Sequence, residues 1–360
     1  MRITIDATST LLRSAGVKTY TYHWLSHLRQ AARPGEEIRA FPFLGDLAHL
    51  DHERSPLPAH ATWLRIALLH AANVFGSPVL DRLIERCDIY HATNMVRRAP
   101  SRARLTATVH DLTSRLMPEH HTPANIRADG VFAERILKRA AGLIAVSENT
   151  RQDAIRILGI APERIRTIYS GIAPEYFDAR PTPRARPYAL YVGTIEPRKN
   201  LTVLLDAWSA LQPALRAEFD LVIAGPEGWN SAATLARVRS ETIYLGYVPE
   251  QNLPGLFAGA TLFVYPSLYE GFGFPVVQAM AAGVPVLTSN TSCLPEVTAG
   301  AAVLVDPRSV TEMNAALTRL LESATERVRL SAAGRARAND FQWPACAEAS
   351  LDFFRGIVGP

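Results

Sequence analysis

Short apolar runs alternate with helical spacings along most of the chain. "RITID" (2–6) has the form of a buried strand, and in "GVKTYTYHWLSHLRQ" (16–30) apolar residues recur three and four apart, the spacing of one helix face. "CDIYHA" (87–92), "LTATVHD" (105–111) and "GLIAVS" (142–147) predict further strands, with a helix over 125–141. "RIRTIYSGI" closes the first half. "DARPTPRARP" (178–187) then carries three prolines and no apolar period, as a linker does. The alternation restarts beyond it. Strands are expected at 188–194, 219–226, 242–248, 261–267, 284–289 and 301–307. Helices are expected at 200–211, 231–240, 253–260, 275–282 and 309–322.

Strand–helix alternation of this kind predicts an α/β fold. Two Rossmann-like, doubly wound parallel sheets would each place a ligand crevice at the strand carboxyl ends. The expected domains are 1–177 and 188–340, joined by the linker 178–187. The segment 341–360 is expected to be a helix crossing back to the first domain.

Composition narrows the class. Apolar residues make up 48% of the 360 and charged residues 20%, as in soluble globular enzymes. No apolar run is long enough to span a bilayer, and "MRITIDATST" does not read as a signal peptide. A cytoplasmic protein is expected. Cys87, Cys293 and Cys346 fit neither a disulfide framework nor a zinc site. Charge is uneven, with 24 Lys and Arg against 18 Asp and Glu in residues 1–180, and 14 against 16 in the rest. The basic half fits a solvated arginine-rich surface and also contact with anionic lipid or an acidic acceptor. "WLRIALLHAANVF" (63–75) has apolar residues at helical spacing, which suits a helix packed on a sheet or one lying on lipid, inside a cell at its membrane face. No nucleic-acid partner is expected.

Four stretches carry candidate chemistry. In "LYEGFGFPVVQAMAAGVPVLTS" (268–289), Glu270 and two glycines stand between a strand and a helix expected to begin at Pro275 and end before Gly283. Backbone N–H groups of Gly271, Phe272, Gly273 and Phe274 at such a helix start form an anion site, and Phe272 reads as exposed. Glu270 beside them can accept hydrogen bonds from sugar hydroxyls. In "YVGTIEPRKN" (191–200), Arg198 and Lys199 follow a strand, a fork and a point charge suited to a diphosphate. In "TATVHDL" (106–112), His110 at a strand's carboxyl end can orient a substrate hydroxyl or serve as a structural hydrogen-bonding residue. In "RSAGVKTY" (13–20), Gly16 opens the first helix and could admit substrate near the backbone. Walker A, nucleophile-elbow and dinucleotide glycine motifs are absent, as are Asp-x-Asp pairs and Cys/His metal spacings.

Together these stretches resemble the retaining GT-B glycosyltransferases of family 4. The resemblance covers nearly the whole chain: the glycine loop at 14–17, "HDL" (110–112), "VSENTRQD" (146–153), "GTIEPRKN", "EGFGFPVVQAMAAGVPV" and "FQWPACAE" follow the family's order and spacing. It implies that the second domain binds a nucleotide-diphosphate sugar, without a metal or other cofactor. Arg198 and Lys199 would hold the diphosphate, and Glu270 the sugar hydroxyls. Phe272, Gly273 and Phe274 would offer backbone N–H groups, and His110 would touch the donor sugar. Gly16 would lie near the phosphates and the acceptor. Tyr247 and Val248 in "LGYVPE" (245–250) would contact the base.

The chain departs from the family pattern twice. Gln278 stands where a second acid usually holds the ribose hydroxyls, and Thr194 where many members have arginine. A glutamine amide still accepts and donates hydrogen bonds, without the charge. The motifs most resemble members using GDP-mannose or a related GDP-sugar, with a saccharide or lipid-linked acceptor in polysaccharide or lipopolysaccharide synthesis. A UDP-sugar-dependent transferase, a sugar-nucleotide epimerase of the same fold and a non-catalytic sugar-nucleotide-binding protein are the alternatives.

Overall fold

A computed structural model of the protein describes residues 1–12, 16–42, 50–52, 54–75, 77–84, 86–94, 96–98 and 100–359. The chain forms two compact units. The first comprises Met1–Pro118, Pro123–Gly171 and Gln342–Pro360, the second Glu119–Thr122 and Ile172–Phe341.

The first unit holds a parallel sheet of β1 (Arg2–Asp6), β2 (Glu37–Phe41), β3 (Ile89–Ala92), β4 (Arg104–Val109), β5 (Gly142–Ala145) and β6 (Ile165–Thr167). Their order across the sheet is β2-β1-β3-β4-β5-β6. The second unit repeats the plan with β7 (Tyr188–Val192), β8 (Asp220–Ala224), β9 (Ile243–Gly246), β10 (Leu262–Tyr265), β11 (Val286–Ser289) and β12 (Val303–Val305), ordered β12-β11-β10-β7-β8-β9. Every residue of β3, β5, β7, β10 and β11 is buried. Strands covered on both faces need mostly apolar side chains on both, and the buried polar exceptions include His91 in β3 and Thr288 in β11, both hydrogen-bonded.

Strand order sets where a ligand can sit. From β7 the chain winds one way through β8 and β9, then returns to β10 on the other side of β7. The crossovers diverge between β7 and β10, leaving an opening at their carboxyl ends. In the first unit the same reversal lies between β1 and β3. There Asp6 accepts a 2.5 Å bond from the Thr8 hydroxyl, and the hydroxyl of Thr93 donates to the Asp6 backbone carbonyl at 2.8 Å.

The division between units falls at Gly171, earlier than the expected boundary at 177. Tyr176 explains the shift. Its ring is buried, lies edge-on to Phe257 at 5.7 Å, and its hydroxyl donates to Glu250 at 3.0 Å. The proline-rich 178–187 stretch also lies against the second unit, where the Thr182 N–H donates to the Gly255 carbonyl at 2.9 Å. Residues 119–122 join the same unit as Trp229 Nε1 donates to the His120 carbonyl at 2.6 Å.

The last helix, Trp343–Val358, belongs to the first unit. Trp24, on the helix Gly16–Ala31, is fully buried, and its indole N–H donates to Ser350 Oγ at 2.9 Å. Arg355 grips Glu36 through two 2.9 Å bonds. Gly142 lets this helix approach β5, since a Cβ there would lie 2.6 Å from Ile357.

Several elements escaped the apolar pattern, among them β2 and the helix Ala324–Ala338. In β2, exposed Glu37 and half-buried Arg39 pair at 2.6 Å and break the apolar run of an edge strand. The helix Ala324–Ala338 is rich in alanine and arginine, and its start is fixed by Ser323, which accepts from the Glu326 N–H at 3.2 Å. "VSENTRQD" proves to be a helix start, with Ser147 capping Thr150 and Gly159 closing the helix at φ 67°. Among the described residues no helix is long and apolar enough to cross a membrane.

Two glycines give opposite stability predictions. A Cβ on Gly171 would lie 2.2 Å from the Trp343 backbone nitrogen. Gly171→Ala should therefore cost about 3 kcal/mol, the upper range for overpacking. Gly130 lies inside the helix Pro123–Arg135, with nothing within 4 Å of a Cβ. Gly130→Ala should stabilise by about 0.5–1 kcal/mol through helix propensity. Thermal unfolding of both variants checks the pair.

Candidate active site

The loops after β7 and β10 are stitched together at the sheet's point of divergence. The loop after β7 ends in a single turn, Pro197–Lys199. Asn200 follows in the left-handed region at φ 58°, where asparagine is among the least strained residues. Its amide donates to the carbonyls of Pro266 at 3.0 Å and Pro307 at 2.6 Å, and the Leu268 N–H donates to the Arg198 carbonyl at 2.9 Å.

This stitching brings Arg198, Lys199 and Glu270 together. Four groups converge on one carboxylate oxygen, Glu270 Oε1. Lys199 Nζ and Ser267 Oγ each lie at 2.6 Å, the Tyr265 hydroxyl at 3.0 Å and Arg198 Nη1 at 3.2 Å. Lys199 Nζ also donates to the Tyr265 hydroxyl at 2.7 Å. Arg198 donates to the Tyr269 carbonyl at 2.5 Å and to Glu196 at 2.7 Å. Lys199, Glu270 and Glu196 are all buried. The two cations are held inside a network and are not a solvated basic loop.

The network decides the ionisation. Burial alone would raise the Glu270 carboxyl, but Lys199 and Arg198 beside it, with hydrogen bonds from Lys199 and Ser267, hold it down at about 2. Burial pushes the Lys199 ammonium down, as does neighbouring Arg198, while Glu270 and Glu196 oppose them. Glu270 is thus a carboxylate at neutral pH with one oxygen fully engaged. Its second oxygen, Oε2, takes no protein hydrogen bond among the described residues.

The glycine turn follows directly. Its helix runs Phe274–Ala281, so Phe274 is the first helical residue and Pro275 the second, one place later than expected. Gly273 precedes it at φ 85°, and a side chain there would also meet Leu294 at 2.9 Å. Gly283 ends the helix at φ 75°. Phe272 corrects the sequence reading, since it is only 4% exposed, edge-on to Phe274 at 5.0 Å and to Phe341 at 5.5 Å. The ring anchors the turn in the core. Among the described residues no protein acceptor takes the N–H of Phe272 or Gly273.

Gln278 lies buried on that helix. Tyr247 and Val248 directly follow β9 and are half-buried. His110 and Gly16 lie in the other unit. Gly16 opens the helix Gly16–Ala31, while Arg13, Ser14 and Ala15 lie outside the described residues. His110 directly follows β4, edge-on to Tyr20 at 5.0 Å. Burial drives its imidazole down to about 4, against the raising effect of Asp111, so the ring is neutral at neutral pH. Its Nε2 is buried without a hydrogen-bond partner among the described residues.

The sequence reading missed four residues of this network: Glu196, Asn200, Tyr265 and Ser267. Glu196 had a signal, an acid two residues before Arg198 in "EPRKN". Tyr265 and Ser267 end an apolar strand, and only the pairing of β7 with β10 reveals what they face.

The depressed Glu270 carboxyl makes a prediction. A carboxylate held below its unfolded value of 4.5 stabilises the fold above that pH and loses the contribution as pH falls towards about 2. Glu270→Gln should cost about 3 kcal/mol at pH 7. The gap to the unsubstituted protein should narrow as pH drops from 4.5 towards 3, as read by melting temperature.

Comparisons with known proteins give the family. Residues 173–337 match the family profile described as "Glycosyl transferases group 1", and residues 14–176 that described as "Glycosyltransferase Family 4". The chain is 34% identical over 283 residues to O-antigen chain mannosyltransferase B of Escherichia coli, covering 74% of each protein. It is 28% identical over 239 residues to the serotype-specific mannosyltransferase WbdA of the same organism, spanning 61% of this chain and 29% of WbdA. In fold it resembles sucrose-phosphate synthase from Thermosynechococcus elongatus, at a TM-score of 0.75 and 19% identity, covering 99% and 98% of the two chains. With its two parallel six-stranded sheets and these matches, the chain belongs to glycosyltransferase family 4 and is a glycosyltransferase of GT-B fold.

Proposed function

We propose that the protein transfers mannose from a nucleoside-diphosphate donor, GDP-mannose, to a saccharide or lipid-linked acceptor with retention of configuration. The observation that carries this reading is the Arg198–Lys199–Glu270 network beside the open N–H groups of Phe272 and Gly273. The mannosyl assignment is supported by the names of the two Escherichia coli relatives.

Each group has a part. The diphosphate lies against the two N–H groups at the start of the helix Phe274–Ala281, where the backbone dipoles favour an anion. Arg198 and Lys199 supply positive charge to the leaving phosphate, fixed in place before the reaction and needing no metal for that purpose. Glu270 Oε2 accepts from sugar hydroxyls, while Oε1 stays tied to Lys199. The Gln278 amide holds the ribose, and Tyr247 and Val248 border the base. Neutral His110 donates or accepts one hydrogen bond with the donor sugar, giving its buried Nε2 a partner. The acceptor oxygen attacks the anomeric carbon from the face of the departing phosphate, and a phosphate oxygen takes its proton. Catalysis is then positioning and stabilisation of the leaving charge.

The donor is tested by thermal shift with GDP-mannose, UDP-glucose and UDP-N-acetylglucosamine. GDP-mannose alone should raise the melting temperature, because a ligand bound only to the native state stabilises it. A rise with a UDP-sugar alone would replace the base assignment, and proton NMR of the product's anomeric signal tests retention. With the donor fixed, Lys199→Ala and Glu270→Gln should each lower kcat at least ~100-fold. The pH profile of kcat/KM should show no histidine inflection between pH 5 and 8, since His110 titrates at about 4. An inflection near 6.5 that His110→Asn abolishes would contradict a neutral imidazole.

A further inference from the structure

The helix Ala59–Phe75 is apolar on two sides. Its inner side buries Thr62, Leu69 and Ala72, the last two in the first unit's core. Its outer side carries Trp63, Leu64, Val74 and Phe75, which are 69%, 60%, 52% and 72% exposed. Elsewhere among the described residues only Val328, at 70%, is a large apolar side chain as open to water. Positions 63, 67, 70 and 74 follow one helix face, so Trp63, Ala67, His70 and Val74 form a strip, with Leu64 and Phe75 at its edge. A surface helix normally turns polar residues outward, and exposed apolar side chains grouped on one face, here interrupted by His70, mark an interaction surface.

The charge around the strip is mostly positive. The helix contains no Asp or Glu. Arg65 folds back onto the Ala61 carbonyl at 3.0 Å. At the carboxyl end, Asn73 holds two arginines. The Arg97 backbone N–H donates to its side-chain oxygen at 2.8 Å, and Arg98 Nε donates to its carbonyl at 3.3 Å. Arg97 is exposed. Over 54–104 the sequence has eight arginines against three acids.

We infer that this face docks on an anionic lipid surface, with the strip of Trp63, Leu64, Val74 and Phe75 entering the headgroup boundary and the arginines meeting lipid phosphates. Aromatic and aliphatic side chains on one face of a helix with arginine beside it suit that boundary. A two-fold contact with a second copy would bring the same arginine rim together on both sides, and the helix has no acid to answer it. The inference does not rest on which sugar nucleotide the protein uses.

Vesicle flotation with the full chain tests it. The protein should float with vesicles of phosphatidylcholine containing about 30% phosphatidylglycerol, float much less with pure phosphatidylcholine, and lose binding as salt rises. The double variant Trp63→Ser, Phe75→Ser should keep its melting temperature, since both side chains are already in water, and bind at least ~tenfold more weakly. Arg97→Glu should weaken binding to anionic vesicles only. Quenching of tryptophan fluorescence by brominated lipid should be lost in Trp63→Phe. The inference falls if the unsubstituted chain floats with neither vesicle or equally with both, or if the double variant binds as well as the original chain. It falls equally if the same substitutions dissolve a concentration-dependent dimer that ignores lipid. None of these readouts uses donor or acceptor, so a wrong donor assignment would leave them unchanged.

Discussion

One oxygen of Glu270 is the point on which the second unit's site depends. A buried carboxylate is costly unless paired, and here it is paired with more than one group. Lys199 and Arg198 supply charge, while Tyr265 and Ser267 supply hydrogen bonds, all at Oε1. The groups come from loops after two adjacent strands, so the network also fixes those loops against each other. Removing Glu270 would leave two cations at this buried point with only Glu196 to answer them. The site is thereby rigid before any ligand arrives, as charge stabilisation during a reaction requires.

The two units hold different kinds of buried polar group. The second holds fixed charges in a network. The first holds a buried ring, His110, kept neutral by its surroundings. A neutral imidazole gives direction without adding charge. Other histidines of this unit are held neutral in the same way. His91 bridges the hydroxyls of Thr106 and Thr108, and His23 stacks on Trp343 at 5.4 Å, with burial driving them to about 3 and about 4.

Much of this was legible from residue order. Continuous apolar runs marked the central strands because parallel sheets bury both faces. Gly283 and the turn at Gly273 marked the ends of one helix because few other residues accept positive φ. The edge strand β2 was not legible, because Glu37 and Arg39 share a surface ion pair and break the apolar run. Phe272 read as exposed because a glycine on each side suggests an open loop, whereas the ring packs on Phe341, far along the chain. Tyr265 and Ser267 were hidden for the same reason. Their role depends on which strand lies beside β10, and pairing at that sequence separation leaves no local trace.

The path of the chain has a consequence for the order in which the protein is made. The second unit is drawn almost entirely from 172–341, a stretch that is contiguous apart from residues 119–122. The first unit begins at Met1 yet needs the helix Trp343–Val358 to cover Trp24 and to let Ser350 receive its indole N–H. On the ribosome, therefore, the unit that is begun first is completed only after the second has emerged. Domains usually close in the order in which they emerge. Here the earlier sheet waits, with Trp24 and Gly142 uncovered, until the helix Trp343–Val358 has left the exit tunnel.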